Sequence, residues 1–130
     1  MATVRRFQDL EAWQVARQLT RAVYSHTGAG GFARDFGMRD QVQRAAVSVM
    51  SNIAEGFERG GNIEFVQFLS TAKGSAAEVE SLLYAALDQG YLSEGDFEAL
   101  HALTVSIRKL LQGLINYLKK SPYRGPKYKQ

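Results

Sequence analysis

Two consecutive amphipathic stretches in the middle of the chain constrain its fold more than any other feature. In residues 40–60 and again in residues 62–90, apolar side chains recur every three or four positions, which places them on one face of a helix. Small residues make up much of the first face: Ala45, Ala46, Ser48, Ser51, Ala54 and Gly56. Because small side chains let helix backbones approach closely, we predict a tightly packed central helix pair. Gly74 costs the second helix about 1 kcal/mol relative to Ala, which predicts a close helix contact there.

The rest of the chain has the same helical periodicity, and glycines separate the helices. We predict an all-α fold, an antiparallel up-down-up-down four-helix bundle, with helices at about residues 8–26, 36–59, 62–89 and 93–120. Residues 1–120 then form the bundle domain and residues 121–130 a basic, flexible C-terminal tail. Residues 27–35 are predicted to be a connection only, and no strand is predicted. We expect Asn62 and Ser93 to cap the third and fourth helices.

The composition indicates one globular domain. The 130 residues are 45% hydrophobic and 22% charged, and they include no cysteine, which excludes disulfides and thiolate metal sites. No run approaches the roughly 18 apolar residues of a membrane span, and the N-terminus has no apolar signal-peptide core. We therefore expect a cytoplasmic protein without a membrane partner.

Positive charge is concentrated at the C-terminus. The chain carries +3 overall, and five positive charges and no acid lie in residues 119–130, so residues 1–118 carry −2. Tyr123 and Tyr128 alternate with these cations, a pattern that can hold phosphates and stack on bases. A solvated terminus that keeps the protein soluble is the alternative interpretation. Arg5 and Arg6 form a smaller cluster at the other end of the chain.

The first helix has a basic pair, and the last has a second apolar face. Arg17 and Arg21 repel each other at i,i+4 spacing, which favours a polyanionic partner over a purely structural role, although exposed arginines are common. The last helix has one heptad seam for the bundle core and a second apolar stripe beside it. Something outside the protomer must cover this stripe, so we predict an oligomer interface there. Its predicted residues are Leu103, Leu110, Ile115 and Tyr117.

Catalytic motifs are absent from the sequence. The chain has two histidines, and only Glu98–His101 matches the Glu-x-x-His spacing of di-iron bundles. Such a site needs this motif twice, together with a carboxylate from each of the other two helices; the chain has no second copy, and the first helix has only Asp9 and Glu11 near its start. No serine lies in an elbow-like turn, and no cysteine is available as a nucleophile. We therefore predict no catalytic residues, no metal, no cofactor, no small-molecule substrate and no enzymatic activity.

Three runs of sequence carry a resemblance to a known family: FQDLEAWQVA, DQVQRAAVSVMSNIAEG and FVQFLSTAKGSAAEVESLLYAALDQGYL. They resemble the four-helix bundle proteins encoded by intervening sequences in bacterial large-subunit (23S) ribosomal RNA genes. This family is similar to the accessory variability protein of diversity-generating retroelements. The resemblance covers about residues 7–118, and its motifs are packing motifs. Met50 replaces the proline that is usual in the family.

The resemblance implies a homopentamer with five bundles around a central channel. For the retroelement branch it also implies binding to nucleic acid and to a reverse transcriptase. Five copies of a chain with charge +3 would carry +15, which is a substantial field for a polyanion.

Two main functional hypotheses follow. The first is a non-enzymatic, homo-oligomeric protein that binds RNA or DNA through basic surfaces. Its predicted phosphate contacts are Arg5, Arg6, Arg17, Arg21, Lys119, Lys120, Arg124, Lys127 and Lys129. The second is a protein–protein scaffold that docks a partner enzyme without direct nucleic-acid binding. A metal enzyme is a third and weaker alternative.

Overall fold

Four long helices make up most of the protein in its computed structural model. The structure describes residues 3–121 and 128–129, and of Thr3, Tyr128 and Lys129 it describes the backbone only. The helices are α1 (Glu11–Thr27), the one-turn α2 (Gly30–Arg34), α3 (Phe36–Glu58), α4 (Asn62–Asp88) and α5 (Glu94–Lys120). α1 and α4 each pack between α3 and α5, so the long helices form a four-membered bundle in which α1 and α4 are diagonal. The predicted all-α bundle is confirmed.

Three local elements differ from the sequence-based expectation. Residues 27–35 contain the helix α2 in addition to connecting turns. Phe7–Asp9 form a 3-10 turn before α1, so that helix begins at Glu11. Thr3–Val4 (β1) pair antiparallel with Tyr128–Lys129 (β2), a strand pair too short to leave a sequence pattern. The predicted tail at residues 121–130 lies mostly outside the described residues.

The small residues of α3 allow a close contact with α4. A Cβ atom added at Gly56 would lie 2.5 Å from Cβ of Phe68 and 3.0 Å from Cδ1 of Phe65. About two helical turns away on the same helix pair, the hydroxyls of Ser48 and Ser75 are 2.9 Å apart, and Asn52 Nδ2 donates to the Ser48 carbonyl at 2.8 Å. The contact predicted at Gly74 is wrong, because a Cβ there would meet nothing within 4 Å. The close approach of α3 and α4 therefore requires glycine at position 56 and not at position 74.

Polar side chains form hydrogen bonds at the starts of α5 and α4. Ser93 Oγ accepts from the Asp96 amide at 3.1 Å, as predicted for an N-cap. The N-cap of α4 is Gly61, so the prediction for Asn62 is wrong. The Asn62 amide is instead buried and donates to the Leu118 carbonyl at 3.2 Å, which joins the start of α4 to the end of α5.

A tyrosine contact positions the connection between α1 and α3. Tyr91 Oη donates to Asp35 Oδ2 at 3.0 Å, while Asp35 Oδ1 accepts from the Met38 amide and so caps α3. The Tyr91 ring lies 5.5 Å from the ring of buried Phe32 in α2. The hydrogen bond to the Asp35 carboxylate raises the pKa of Tyr91, and partial burial adds to the rise. α2 is therefore packed against the turn that leads into α5.

The bundle interior is apolar. Among its fully buried side chains are Phe32, Phe57, Phe65, Leu10, Leu19, Ile53, Leu69, Leu83, Leu100, Ile107 and Leu111. Within the described part of the chain, no helix has the combination of length and apolar character that a membrane span requires.

Candidate nucleic-acid interface

A polar groove runs along the N-terminal half of α1. It has a volume of about 590 Å³ and is lined by Arg6, Gln8, Trp13, Gln14, Arg17, Gln18 and Arg21. The 3-10 turn before α1 brings the N-terminal arm beside the helix, with the Leu10 amide donating to the Phe7 carbonyl at 3.0 Å. Leu10 is fully buried, which anchors this turn to the core. Gln14 Nε2 donates to the Gln8 backbone carbonyl at 3.0 Å and so joins α1 to the segment before it.

An aromatic side chain lies among the groove's cations. The half-buried Trp13 packs edge-to-face against Phe7, with ring centroids 5.3 Å apart. The Arg17 guanidinium carbon lies 5.8 Å from the centroid of the Trp13 ring, within the range of a cation–π contact. The indole therefore contacts the Phe7 ring and lies near a positive charge.

The groove's positive charges are weakly neutralised. Arg6 Nη2 is 3.4 Å from Asp9 Oδ1, but both side chains are more than half exposed, so water screens this pair. Arg17 and Arg21 are exposed and form no ion pair with any residue in the described ranges. These two cations remain available to an anionic ligand.

The structure brings together three of the nine predicted phosphate contacts, Arg6, Arg17 and Arg21. Arg5 is exposed beside the groove but does not line it. Lys119 and Lys120 are exposed in the last turn of α5, where positive charge also complements the helix dipole. The Lys129 backbone is opposite Thr3 in the strand pair, and Thr3 precedes Arg5 by two residues. Arg124 and Lys127 lie outside the described residues.

Sequence reasoning missed the groove's uncharged residues. Trp13, Gln8, Gln14 and Gln18 are not among the predicted phosphate contacts. The i,i+4 spacing of Trp13 and Arg17 was the available signal, since it places the two side chains next to each other on a helix surface. The contribution of Gln8 needed the 3-10 turn, which the sequence did not predict.

The predicted oligomer-interface residues fall into two groups. Ile115 is only 3% exposed within the single chain, so it belongs to the bundle core and is not available to a second copy. Leu103, Leu110 and Tyr117 are half-buried. An apolar groove of about 270 Å³ between α1 and α5 is lined by Glu11, Ala12, Lys109, Leu110, Gly113, Leu114 and Tyr117. Two of the four predicted residues, Leu110 and Tyr117, therefore line one surface.

The single Glu-x-x-His motif does not form a metal site with Glu98. His101 Nε2 lies 2.8 Å from Oε2 of Glu80 in α4, and Arg108 Nη2 lies 3.3 Å from the other oxygen of that carboxylate. The Phe97 ring stacks on the imidazole at a centroid distance of 5.3 Å. In residues 3–121 and 128–129 no group of three or more potential ligands is placed to hold a metal ion.

Comparisons with known proteins give the family. A crystal structure of a protein of unknown function from the S23 ribosomal protein family of Bacteroides thetaiotaomicron matches with a TM-score of 0.74. At 23% identity, over 81% of this chain and 95% of that one, the likeness shows a shared fold. A comparison of the sequence with functionally curated proteins finds no match. The family model for the 23S rRNA-intervening sequence protein matches residues 8–113, which is most of the sequence, and the chain therefore belongs to this family.

Proposed function

We propose that the protein is a non-enzymatic, homo-oligomeric bundle that binds nucleic acid through the α1 groove and the basic residues at the chain ends. One observation carries the proposal: Arg17 and Arg21 line the same groove as Arg6, and neither has an ion-pair partner among the described residues. Two unpaired cations one helical turn apart repel each other, and an anion relieves that repulsion. Phosphate contacts of this kind bind nucleic acid with little dependence on sequence.

Neutralising the groove should weaken nucleic-acid binding without unfolding the protein. We expect the double substitution Arg17→Gln and Arg21→Gln to reduce affinity for RNA or DNA oligonucleotides by about ten-fold at low salt. The slope of log affinity against log salt should fall by about 1 to 2, because up to two phosphate contacts are lost. Fluorescence anisotropy titrations between 50 and 200 mM salt, roughly the range over which such contacts weaken, measure both quantities.

The matched control is the double substitution Arg34→Gln and Arg44→Gln, which removes the same charge from exposed positions outside the groove. It should change affinity and salt slope much less. Equal effects of the two double variants would show that net charge, and not the groove, governs binding. Absence of binding at low salt would rule out the proposed function.

We also propose that the apolar groove between α1 and α5 packs against a second copy of the chain, with five copies closing a ring. Leu110 and Tyr117 are half-buried there, and Gly113, which has no side chain, leaves a depression between them. A Cβ at Gly113 would meet no atom of the described residues within 4 Å, which leaves room in the groove for another molecule.

A charged side chain at Gly113 should break the assembly while preserving the protomer. Light scattering of the wild-type protein should give a multiple of the 14.4 kDa protomer mass, which is five-fold for the pentamer. We expect Gly113→Glu to lower the measured mass toward that of the protomer. Gly74→Glu is the control, because Gly74 is also an exposed helical glycine with open space around it. A wild-type monomer at micromolar concentration, or an assembly that Gly113→Glu leaves intact, would contradict the interface.

The same apolar groove supports the alternative function, a scaffold that docks a partner enzyme. A partner recovered from the source cell distinguishes the two functions. Loss of the partner after nuclease treatment indicates a nucleic-acid bridge, whereas retention that Gly113→Glu abolishes indicates direct docking in the groove.

A further inference from the structure

The α1 groove contains more than phosphate-binding cations. Exposed positive charge is sufficient to bind phosphates, and Arg6, Arg17 and Arg21 supply it. This groove also contains an indole and the side chains of Gln8, Gln14 and Gln18. Aromatic rings and amide groups interact with bases, and in a duplex the faces of the bases are covered by their neighbours in the stack.

The Trp13 side chain is prepared for stacking. Its edge-to-face contact with Phe7, at 5.3 Å between centroids, fixes the ring's orientation from the side of the core. Arg17 lies over the ring and can stack on a base or bind the adjoining phosphate. Little side-chain entropy is lost on binding when a ring is already held in place.

The polar groups lie along the helix beside this ring. Arg21 follows Trp13 by eight residues, or about 12 Å along the helix axis, and Gln14, Arg17 and Gln18 lie between them. Gln14 uses its amide NH₂ on the Gln8 carbonyl, which leaves its carbonyl oxygen as an acceptor. The Gln18 amide forms no hydrogen bond to a side chain or carbonyl in the described part of the chain, so it can both donate and accept.

We propose that the α1 groove binds single-stranded RNA or DNA, with a base stacked at Trp13 and the adjoining phosphates on Arg17 and Arg21. This inference rests on the proposed nucleic-acid function and specifies the form of nucleic acid recognised. Stacking on an aromatic ring accepts any base, so little sequence preference is expected from Trp13. The glutamine amides add hydrogen bonds to base edges that a duplex uses for pairing.

The composition provides a direct reporter, because Trp13 is the only tryptophan in the chain. We expect oligo(dT) and oligo(U) of about 12 nucleotides to quench its fluorescence as they bind. A duplex with the same number of phosphates should bind about ten-fold more weakly, the effect of roughly one stacked base. Inorganic polyphosphate should compete for the groove while producing much less quenching.

Two substitutions at one position separate stacking from packing. Trp13→Leu keeps an apolar side chain against Phe7 but removes the stacking surface, so it should lose about ten-fold in affinity for the single strands. Its affinity for polyphosphate should not change. Trp13→Phe restores an aromatic face and should recover most of the single-strand affinity, measured for both variants by anisotropy of a labelled oligonucleotide.

Two results would overturn the inference. If oligonucleotides bind with salt-dependent affinity but leave Trp13 fluorescence unchanged, or if Trp13→Leu binds single strands as well as Trp13→Phe does, the groove is a phosphate site and the proposed nucleic-acid function still stands. If neither single strands nor duplex binds at low salt, both the inference and the proposed function fail. A difference between oligo(dT) and oligo(U) would identify DNA or RNA as the preferred ligand.

Discussion

Gly56→Ala should destabilise the protein, although alanine is the better helix former. The added Cβ would lie 2.5 Å from Cβ of Phe68 and 3.0 Å from Cδ1 of Phe65. The first of these atoms is attached directly to the α4 backbone, so it cannot move aside by a rotamer change. α3 and α4 must then separate, and overpacking of this kind costs about 1–3 kcal/mol. We expect a net loss of about 2 kcal/mol in the free energy of unfolding, which chemical denaturation at fixed protein concentration measures.

Gly74→Ala is the matched control and should change stability in the opposite direction. Gly74 is an exposed glycine inside α4, and a Cβ there meets nothing within 4 Å. Alanine should therefore raise the free energy of unfolding by up to about 1 kcal/mol through helix propensity. If both substitutions stabilise, the α3–α4 contact at Gly56 is looser than the structure shows. If both destabilise, an assembly contact at Gly74 is the simplest explanation, and dilution would test it.

Glu80→Ala should cost about 2 kcal/mol, which is more than an average surface glutamate contributes. The Glu80 side chain is 20% exposed and lies at the α4–α5 interface. His101 Nε2 must be the donor in the 2.8 Å contact, because an ionised carboxylate only accepts hydrogen bonds. Arg108 Nη2 forms an ion pair with the second oxygen at 3.3 Å. A hydrogen bond to a charged group contributes about 1.5–3 kcal/mol to stability. Screening by water places the contribution of the Glu80–His101 bond toward the lower end of this range.

The loss of Glu80 also leaves its partners without a carboxylate. Nε of Arg108 is buried and has no hydrogen-bond partner among the described atoms, and the ion pair with Glu80 is the one that this guanidinium forms in the described residues, although 40% of the side chain is exposed. Glu78→Ala is the control: Glu78 is exposed on the same helix and accepts one bond from Gln41 at 3.1 Å. It should change the free energy of unfolding by less than about 0.5 kcal/mol. Similar losses for the two variants would contradict the role of the cluster.

The α3–α4 motifs were recognisable from sequence because they follow the helical period. Ala45, Ala46 and Gly56 lie on one face of a helix at any position in the bundle, so small residues there predict a close approach. Which glycine makes the contact could not be predicted. Gly56 and Gly74 look alike in sequence, and only the relative placement of α3 and α4 puts Phe68 against the first and open space beside the second.

The candidate groove was predicted only in part, for a related reason. Arg17 and Arg21 share a helix face by their spacing, and the sequence alone indicated a partner for them. Arg6 precedes a turn that no propensity rule identified, and its approach to α1 depends on the burial of Leu10 in the core. Ile115 shows the opposite error. It is predicted on the outer face of α5, but it follows Leu111 by four residues and precedes Leu118 by three, and it is buried in the core together with them.

By itself the sequence determined the four long helices, their order and the class of the fold, because apolar periodicity and glycine breaks are local properties of the chain. The tertiary structure decided which residues meet across helices: Gly56 with Phe68, Glu80 with His101, and Arg6 with the α1 groove. The physical reason is that a contact between helices depends on their offset and rotation. The summed packing of the whole core sets both, and no short stretch of sequence encodes them.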